Sequence, residues 1–313
     1  MSDMRNGVRK PLYLAAAPVL ASLIAACTII GPPSANKTKP TGFGTSSPTA
    51  PTTPSPTGSG GPKATGSPFA GLTKYLAGRH GNVTAAVYDN RTGKTYVLHP
   101  GQRQETASIV KVEIMGTAFW NAQQGRPLTS AQRALLVPMI EQSNNTAASE
   151  LLKDVGGPAR VQRFDQHAGL TKTTVSKKQF IPGSSLPGWG LTLTTALDEV
   201  TLVRKFAYAN PLLTTAHRQR GLNLMGHVES GQAWGVSGGN YGALPGATVV
   251  LKNGWLPHNL TSYTDWQVNS IGWVHGNGRD YVIAVLTNHS ASETYGISTI
   301  DTIARRVYAN LGG

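Results

Sequence analysis

Ser108 and Lys111 have the residue types and the spacing of an activated nucleophile. Residues at positions i and i+3 of a helix lie on one face, and the positive end of the helix dipole favours an alkoxide near the N-terminus. A buried lysine can lose its proton and act as the base for such a hydroxyl. The spacing alone is weak evidence, because Ser34 and Lys37 repeat it by chance. A helix cap and a solvated lysine are the simpler interpretation unless further groups join the pair.

Two later segments supply such groups. Ser143 and Asn145 lie between two helical patterns, where a hydroxyl could relay a proton to a leaving amine and an amide could hold the lysine. Lys252 and Gly254 end an apolar strand pattern, where the cation could bind a substrate carboxylate and the glycine would let a substrate approach closely. Without chemistry, these segments would be a helix cap and an edge-strand lysine before a turn.

The elements that position these residues alternate between strand and helix patterns in blocks. Helical patterns dominate residues 108–225, where Thr129 and Gln132 predict a capping box, and a short helix is expected over residues 69–77. Strand patterns lie on both sides of the helical block, at residues 83–88, 95–98, 247–252, 267–274 and 281–287. The sequence therefore predicts an α+β domain of the broader α/β kind, with a five-stranded antiparallel sheet flanked by terminal helices and an inserted helical subdomain.

Local sequence patterns also predict the turn of the last hairpin and the helix that follows it. Gly276, Asn277 and Gly278 predict the turn of the last hairpin. The final helix shows an apolar face, made of Ile297, Ile300, Ala304, Val307 and Leu311. We expect a monomer.

The order Ser-x-x-Lys, Ser-x-Asn and Lys-x-Gly resembles the signature of the penicillin-recognising serine enzymes, the superfamily of class A β-lactamases and DD-peptidases. The resemblance covers nearly all of residues 69–313. It implies that Ser108 attacks a carbonyl carbon and forms an acyl-enzyme, with Lys111 as its base. Ser143 would pass the proton to the leaving nitrogen of a β-lactam or of a wall stem peptide.

The same resemblance implies the residues that bind the substrate. Asn145 would orient the lysine and the substrate amide, and Lys252 would hold the substrate carboxylate. The backbone N–H groups of Ser108 and Trp255 would form the oxyanion hole, and Trp255 would line the cleft. Three other tryptophans are interpreted as core or subdomain contacts: Trp189, Trp234 and Trp273.

Three departures from the family pattern concern the second and third motifs. Asn144 stands where aspartate is common, at a position expected to point away from the attack. Asn253 replaces the usual Thr or Ser, so that an amide would donate to the substrate carboxylate instead of a hydroxyl. Ser108 and Ser143 are only 35 positions apart, which predicts a shortened helical subdomain and a more open cleft.

The fourth departure concerns release of the acyl group. Class A enzymes use a glutamate in the loop before the next helix to activate water, yet residues 169–190 contain neither Asp nor Glu. Asp165 and Asp198 flank this loop in predicted helices, and His167 is the nearest other base, although a helix-surface histidine is the simpler interpretation. We therefore predict an enzyme that acylates and releases slowly. The alternative is a non-catalytic, penicillin-binding-like lipoprotein that senses the wall.

The amino-acid composition limits the kinds of molecule that the protein is expected to bind. The 313 residues carry a formal charge of +13, which suits an anionic wall polymer, a membrane surface or simply a basic secreted surface. Lys and Arg do not cluster with aromatic residues, so we expect no nucleic acid. The sequence contains no cluster with metal-ligand spacing and no phosphate-binding glycine loop, so we expect neither a metal nor a cofactor.

The N-terminal segment predicts export. A basic start and a short apolar run precede Cys27, the only cysteine in the chain. Small residues directly before a cysteine resemble a bacterial lipobox, although an ordinary signal peptide or an anchor helix would also fit. The prediction is a lipoprotein signal peptide over residues 1–27 with Cys27 lipidated, a disordered Pro/Thr/Ser/Gly tether over 28–68 and a serine hydrolase domain over 69–313. The protein would be held on the outer face of the bacterial cytoplasmic membrane.

Overall fold

The computed structural model describes residues 66–259 and 264–312. The predicted signal peptide, Cys27 and almost all of the tether lie outside the described residues and stay predictions. Of the helices that are described, none is long and apolar enough to cross a membrane.

The main sheet has five antiparallel strands in the order β2-β1-β7-β6-β5, as the strand patterns predict. A second, two-stranded sheet pairs β3 with β4. Because β1 and β7 are central, both have unbroken runs of buried residues. The strands are β1 (Asn82–Asp89), β2 (Lys94–Leu98), β3 (Gln104–Glu105), β4 (Leu193–Thr194), β5 (Thr248–Asn259), β6 (Thr264–Gly276) and β7 (Arg279–Ser290).

Eight α-helices accompany these strands in the described residues. They are α1 (Thr73–Ala77), α2 (Lys111–Gln123), α3 (Ser130–Glu141), α4 (Asn145–Asp154), α5 (Gly157–Ala168), α6 (Ala196–Ala207), α7 (Thr215–Met225) and α8 (Glu293–Asn310). The first helix begins four residues later than the sequence predicts, because Ser67 and Phe69 instead accept backbone hydrogen bonds in two turns.

Local sequence signals explain where several elements begin and end. Asn277 and Gly278 have φ values of 48° and 73°, so the β6–β7 hairpin closes through the two-residue turn that Asn-Gly favours. Thr129 caps α3, and Thr129 and Gln132 form the predicted capping box. Both predictions are confirmed.

Each face of the main sheet is covered by helices. On one face, α8 packs Ile300, Val307 and Leu311 against strand residues such as Ile283 and Val285. These helix side chains belong to the predicted apolar face, and all three are buried. Burying one such side chain contributes about 1.5–3 kcal/mol. The opposite face carries the other large core cluster, in which α6 packs against β1 and β7 and α2 packs among the other helices.

Helix α2 is the centre of the helical layer. Every residue from Lys111 to Asn121 is buried, so this helix is enclosed on all sides instead of having one solvent face. Strand β5 differs from its prediction, since it continues to Asn259. Lys252 and Gly254 therefore lie in the middle of an edge strand and not at its end.

Candidate active site

The structure places Ser108 in a single turn of 3₁₀ helix, Ala107–Val110, directly before α2. Ala107 has φ 47°, a left-handed conformation that a non-glycine residue rarely adopts. The sheet holds this segment, because Asn269 Nδ2 donates to the carbonyl oxygens of Glu105 (2.8 Å) and Thr106 (3.0 Å). Ser108 is thereby fixed at the junction of helix and sheet and is half-buried.

Lys111 connects the first two motifs. Its Nζ lies 3.0 Å from Ser108 Oγ and 3.0 Å from Ser143 Oγ. The same nitrogen lies 2.6 Å from the Ser143 carbonyl oxygen and 2.9 Å from Asn145 Oδ1. The side chain is fully buried. One amine thus contacts both serine hydroxyls at hydrogen-bond distance, which is the arrangement that proton transfer between them needs.

The loop between α3 and α4 holds the second motif. Ser143 has φ 54°, so its backbone is in the left-handed region. Asn144 caps α4, with Oδ1 accepting from Ala147 N at 2.9 Å. The Asn144 side chain is therefore engaged by its own helix, and Asn145 begins that helix with its amide oxygen on Lys111.

Strand β5 brings the third motif to the same point. Lys252 is fully buried, and its Nζ lies 3.0 Å from Ser143 Oγ and 2.9 Å from the Asn253 carbonyl oxygen. A Cβ atom on Gly254 would stand 2.6 Å from Ser108 N and 2.7 Å from the Thr106 carbonyl oxygen. Only glycine fits here, because the strand backbone passes directly against the backbone of the nucleophile.

Asn253 does not take the place that the sequence analysis gave it. Its Nδ2 donates to the carbonyl oxygens of Gln232 (2.7 Å) and Trp234 (3.0 Å), and the side chain is buried. Successive strand residues point to opposite faces of a sheet, so Asn253 faces away from Lys252 and Gly254. Both of its amide hydrogens are already donated to backbone carbonyl groups. Asn253 therefore holds the loop before β5 in place and has no hydrogen left to donate to a substrate carboxylate.

The two buried lysines have strongly lowered pKa values. Burial, followed by the charge of Lys252, lowers the pKa of Lys111 from 10.5 to about 6. Burial lowers the pKa of Lys252 from 10.5 to about 7. A neutral Lys111 can accept a proton from Ser108, as a general base must.

A small, largely apolar cavity of about 50 Å³ opens at Ser108. Among the described residues, no Asp or Glu lines it. Trp189 lies in its wall, with its ring centroid 5.0 Å from Lys111 Nζ and its Nε1 donating to Ser149 Oγ at 3.0 Å. The remaining lining residues are Ala107, Asn145, Ile181, Leu186, Pro187, Gly190, Trp255 and Leu256.

Trp189 is buried in the large core cluster, which agrees with its interpretation as a core or subdomain contact, and its place in the cavity wall is an additional role that the sequence did not predict. Its position at the end of the acid-free loop was the available signal. Trp255 lines the cavity as expected. His167 lies on an exposed helix face with Nδ1 at 2.7 Å from the Arg163 carbonyl oxygen, which fits its interpretation as a surface histidine.

Four buried acids that no sequence pattern joins lie in the helical layer: Glu113, Asp165, Asp198 and Glu199. Burial first, and then the neighbouring acids, raise the pKa of Asp165 to about 8 and that of Glu113 well above its usual range. Burial also raises the pKa of Glu199 to about 8. The flanking acids Asp165 and Asp198 are thus held in this interior cluster and not at the cavity.

Comparison with known proteins gives a consistent result. Residues 127–311, more than half of the chain, match the sequence model described as the beta-lactamase enzyme family. A curated relative, Beta-lactamase OXY-1 of Klebsiella oxytoca, is 26% identical over 153 residues. That match covers 45% of this chain and 51% of the relative, so the chain spans about half of the relative's length.

Solved structures of class A β-lactamases are similar over nearly their whole length. An ancestral class A β-lactamase has 20% identity and a TM-score of 0.62, with 76% of this chain and 99% of that chain covered. A class A β-lactamase from Bacteroides cellulosilyticus has 19% identity and a TM-score of 0.63, with 77% and 95% covered. At these identities the likeness shows the fold.

Proposed function

Since the chain belongs to the beta-lactamase enzyme family, we propose that Ser108 is acylated by a β-lactam or by a D-Ala-D-Ala-type wall peptide and that the acyl group is released slowly. Family membership implies a serine acyl-transfer hydrolase and a β-lactam-type substrate. The observation that carries the proposal is the contact of Lys111 Nζ with the hydroxyls of both Ser108 and Ser143, each at 3.0 Å.

The acylation step follows from these contacts. Neutral Lys111 accepts the hydroxyl proton while Ser108 Oγ forms a bond to the carbonyl carbon of the substrate amide. The tetrahedral intermediate then collapses, and the carbon–nitrogen bond breaks. Ser143 donates its proton to the leaving nitrogen and regains one from Lys111. The products are the Ser108 ester and the free amine, and Lys111 is neutral again.

Groups on β5 and the backbone of Ser108 would bind the charged atoms of the substrate. The N–H groups of Ser108 and Trp255 would form the oxyanion hole. The close approach of Gly254 to Ser108 N supports this assignment, and alternate N–H groups of an edge strand are free to face a substrate. Losing one such donor lowers the rate by roughly 10²–10³. Lys252, while charged, would attract the substrate carboxylate.

Slow release is supported by the cavity wall. The loop that precedes α6 contains no acid, and the described lining of the cavity contains none either. The acyl-enzyme would therefore lack a carboxylate to activate water. General-base catalysis typically contributes about 10²–10⁴ in rate, so the ester should persist for a correspondingly longer time.

Acylation and release can be measured together by intact mass spectrometry. The protein is exposed to a penicillin, excess drug is removed, and the mass is followed over time. We expect an adduct of one penicillin per chain that decays slowly, no adduct with Ser108→Ala, and an unchanged adduct with the exposed control Ser230→Ala. A protein that never forms the adduct would favour the non-catalytic alternative. Rapid steady-state turnover of nitrocefin would instead contradict slow release.

The N-terminal segment belongs to the same proposal. A wall-directed acyl-transfer enzyme needs export, which the segment before Cys27 predicts, and a tether over residues 28–68 would carry the domain away from the membrane. Growth of a bacterial host with a labelled fatty acid tests the anchor. Label should enter the native chain and not Cys27→Ala, and equal labelling of both chains would contradict lipidation at this residue.

A further inference from the structure

Two histidines and an aspartate meet where three neighbouring strands end. His258 lies on β5, Asp265 on β6 and His289 on β7, and one ligand atom of each lies within 4.8 Å of the other two. His289 Nδ1 is 2.8 Å from Asp265 Oδ1. The two imidazole rings stand 5.5 Å apart, edge to face. His258 and His289 are exposed, so this corner of the sheet is open to solvent.

The backbone is bent to bring these side chains together. The β6–β7 register shifts between Trp266 and Val268, which inserts a bulge beside His289. Asp265 and His289 have φ values of 61° and 54°. Each such left-handed residue costs on the order of 1 kcal/mol or more. The two strained positions are the two whose side chains contact each other.

The donor set is chemically selective. Imidazole nitrogens with one carboxylate oxygen suit zinc and related transition-metal ions, whereas calcium and magnesium prefer oxygen ligands alone. Ligands at about 2.0–2.1 Å from a tetrahedral ion stand roughly 3.3 Å from one another. Here His289 Nδ1 and Asp265 Oδ1 are 2.8 Å apart and no pair of ligand atoms is more than 4.8 Å apart, so side-chain rotations would bring all three donors onto one ion. The ion's fourth position would be left to water.

Glu105 supports the same interpretation from β3. Its Oε2 lies 3.4 Å from His258 Nε2. A carboxylate against a ring nitrogen commonly orients a metal-binding histidine. Glu105 also directly precedes Thr106, whose carbonyl oxygen Asn269 holds.

We infer that His258, Asp265 and His289 bind a divalent transition-metal ion of the zinc type, with Glu105 orienting His258. The bound ion ties the ends of β5, β6 and β7 to one another and, through Glu105, to the segment that leads to Ser108. The site is separate from the catalytic groups and does not depend on the proposed function. The site was not predicted from the sequence, where no metal was expected, because the three ligands come from three strands and no local spacing joins them.

The test uses the full chain without a histidine tag, purified in EDTA and then dialysed. Zn²⁺ binding is measured by calorimetry, and Co²⁺ by its visible absorption, which is intense only for low coordination numbers. We expect one ion per chain. At a Zn²⁺ concentration of 100 times Kd, the melting temperature should rise by about 5 °C or more. Mg²⁺ and Ca²⁺ should leave it unchanged.

Variants separate the inferred site from incidental binding. His258→Ala and His289→Ala should each weaken Zn²⁺ binding about 100-fold, and Glu105→Gln about tenfold. His227→Ala, which removes an exposed histidine elsewhere, should bind as the native chain does. Melting in EDTA checks that each variant is folded, and His→Gln replaces any Ala variant that is not. No binding by the native chain would overturn the inference, as would equal binding by the His258 and His289 variants.

Discussion

The Trp189 ring lies over Lys111, with its centroid 5.0 Å from Nζ. The Trp189 Nε1–H is donated to Ser149, so the indole is held in this position. In the proposed mechanism Lys111 activates Ser108, and water approaching an acyl-Ser108 past this wall would meet an aromatic ring. The contact between these two residues would thus link the base for acylation to the wall that is proposed to slow release.

A single substitution at Trp189 would add a general base to the cavity wall. Trp189→Glu places a carboxylate at the end of the acid-free loop, and Trp189→Gln is its neutral match. We expect the acyl-enzyme to decay at least about tenfold faster in Trp189→Glu than in Trp189→Gln, because only the carboxylate can accept a proton from water. The measurement is the loss of the penicillin adduct by intact mass. Equal decay in the two variants would show that a missing base is not what limits release.

The acylation rate should depend on pH through the two lysines. Lys111 acts as a base only when neutral, so the rate should rise through its pKa of about 6. Lys252 attracts a carboxylate only when charged, so the rate should fall through its pKa of about 7. The pair is coupled, and the profile reports the pair. We expect a narrow bell-shaped curve of acylation rate against pH.

Lys252→Arg provides the matched control for that curve, since a guanidinium stays charged over the whole range. The alkaline limb should disappear while the acidic limb remains. The rate is measured from adduct formation with a penicillin at fixed concentration. An unchanged alkaline limb in Lys252→Arg would assign that limb to another group.

Gly254 should tolerate no side chain. The Cβ atom of Gly254→Ala would stand 2.6 Å from Ser108 N, where the nucleophile segment or the strand must move. We expect acylation to slow by roughly 10²–10³, the usual effect of losing an oxyanion-hole donor. Gly231→Ala is the control, because its Cβ meets nothing within 4 Å. Native-like acylation by Gly254→Ala would place the oxyanion elsewhere.

The sequence predicted the residues near Ser108 well because their motifs are local. Ser108 and Lys111 share one turn, and Ser143 and Asn145 flank one helix start, so short spacing fixes each pair. Their meeting with Lys252 is a long-range contact. It could be expected only from the order of the motifs and the resemblance to a known family, and not from spacing.

The errors came from features that need the whole fold. The face on which Asn253 lies depends on β5 continuing beyond Gly254, and the strand pattern ended too early. The contact of Trp189 with Lys111 was not predicted either, because it is a long-range contact made from a short 3₁₀ helix, Gly188–Leu191, that no local pattern relates to Lys111. The acids of α2, α5 and α6 come together only when three helices pack, so the sequence showed Asp165 and Asp198 only as residues that flank a loop and gave no signal for Glu113 and Glu199.

Those acids make a prediction about stability. Burial raises the pKa of Glu199 from 4.5 to about 8, and burial, followed by the charges of the neighbouring acids, raises the pKa of Glu113 as well. Between about pH 4.5 and 8, the folded protein keeps protons that the unfolded chain has lost. This contribution to stability is therefore fully present at low pH and is lost as the pH rises to about 8, by up to about 1.4 kcal/mol per pH unit for each proton.

Glu199→Gln removes one of these titrations and keeps the shape of the side chain. Near pH 4.5 the variant and the native chain should have similar free energies of unfolding, and the variant should become relatively more stable as the pH approaches 8. The opposite pH dependence caused by Lys111 and Lys252 is common to both chains and cancels in the difference. Urea unfolding at several pH values measures this difference, with the exposed Glu150→Gln as control. A difference that does not grow with pH would mean that Glu199 is ionised in the folded protein, with a cation or solvent reaching the cluster.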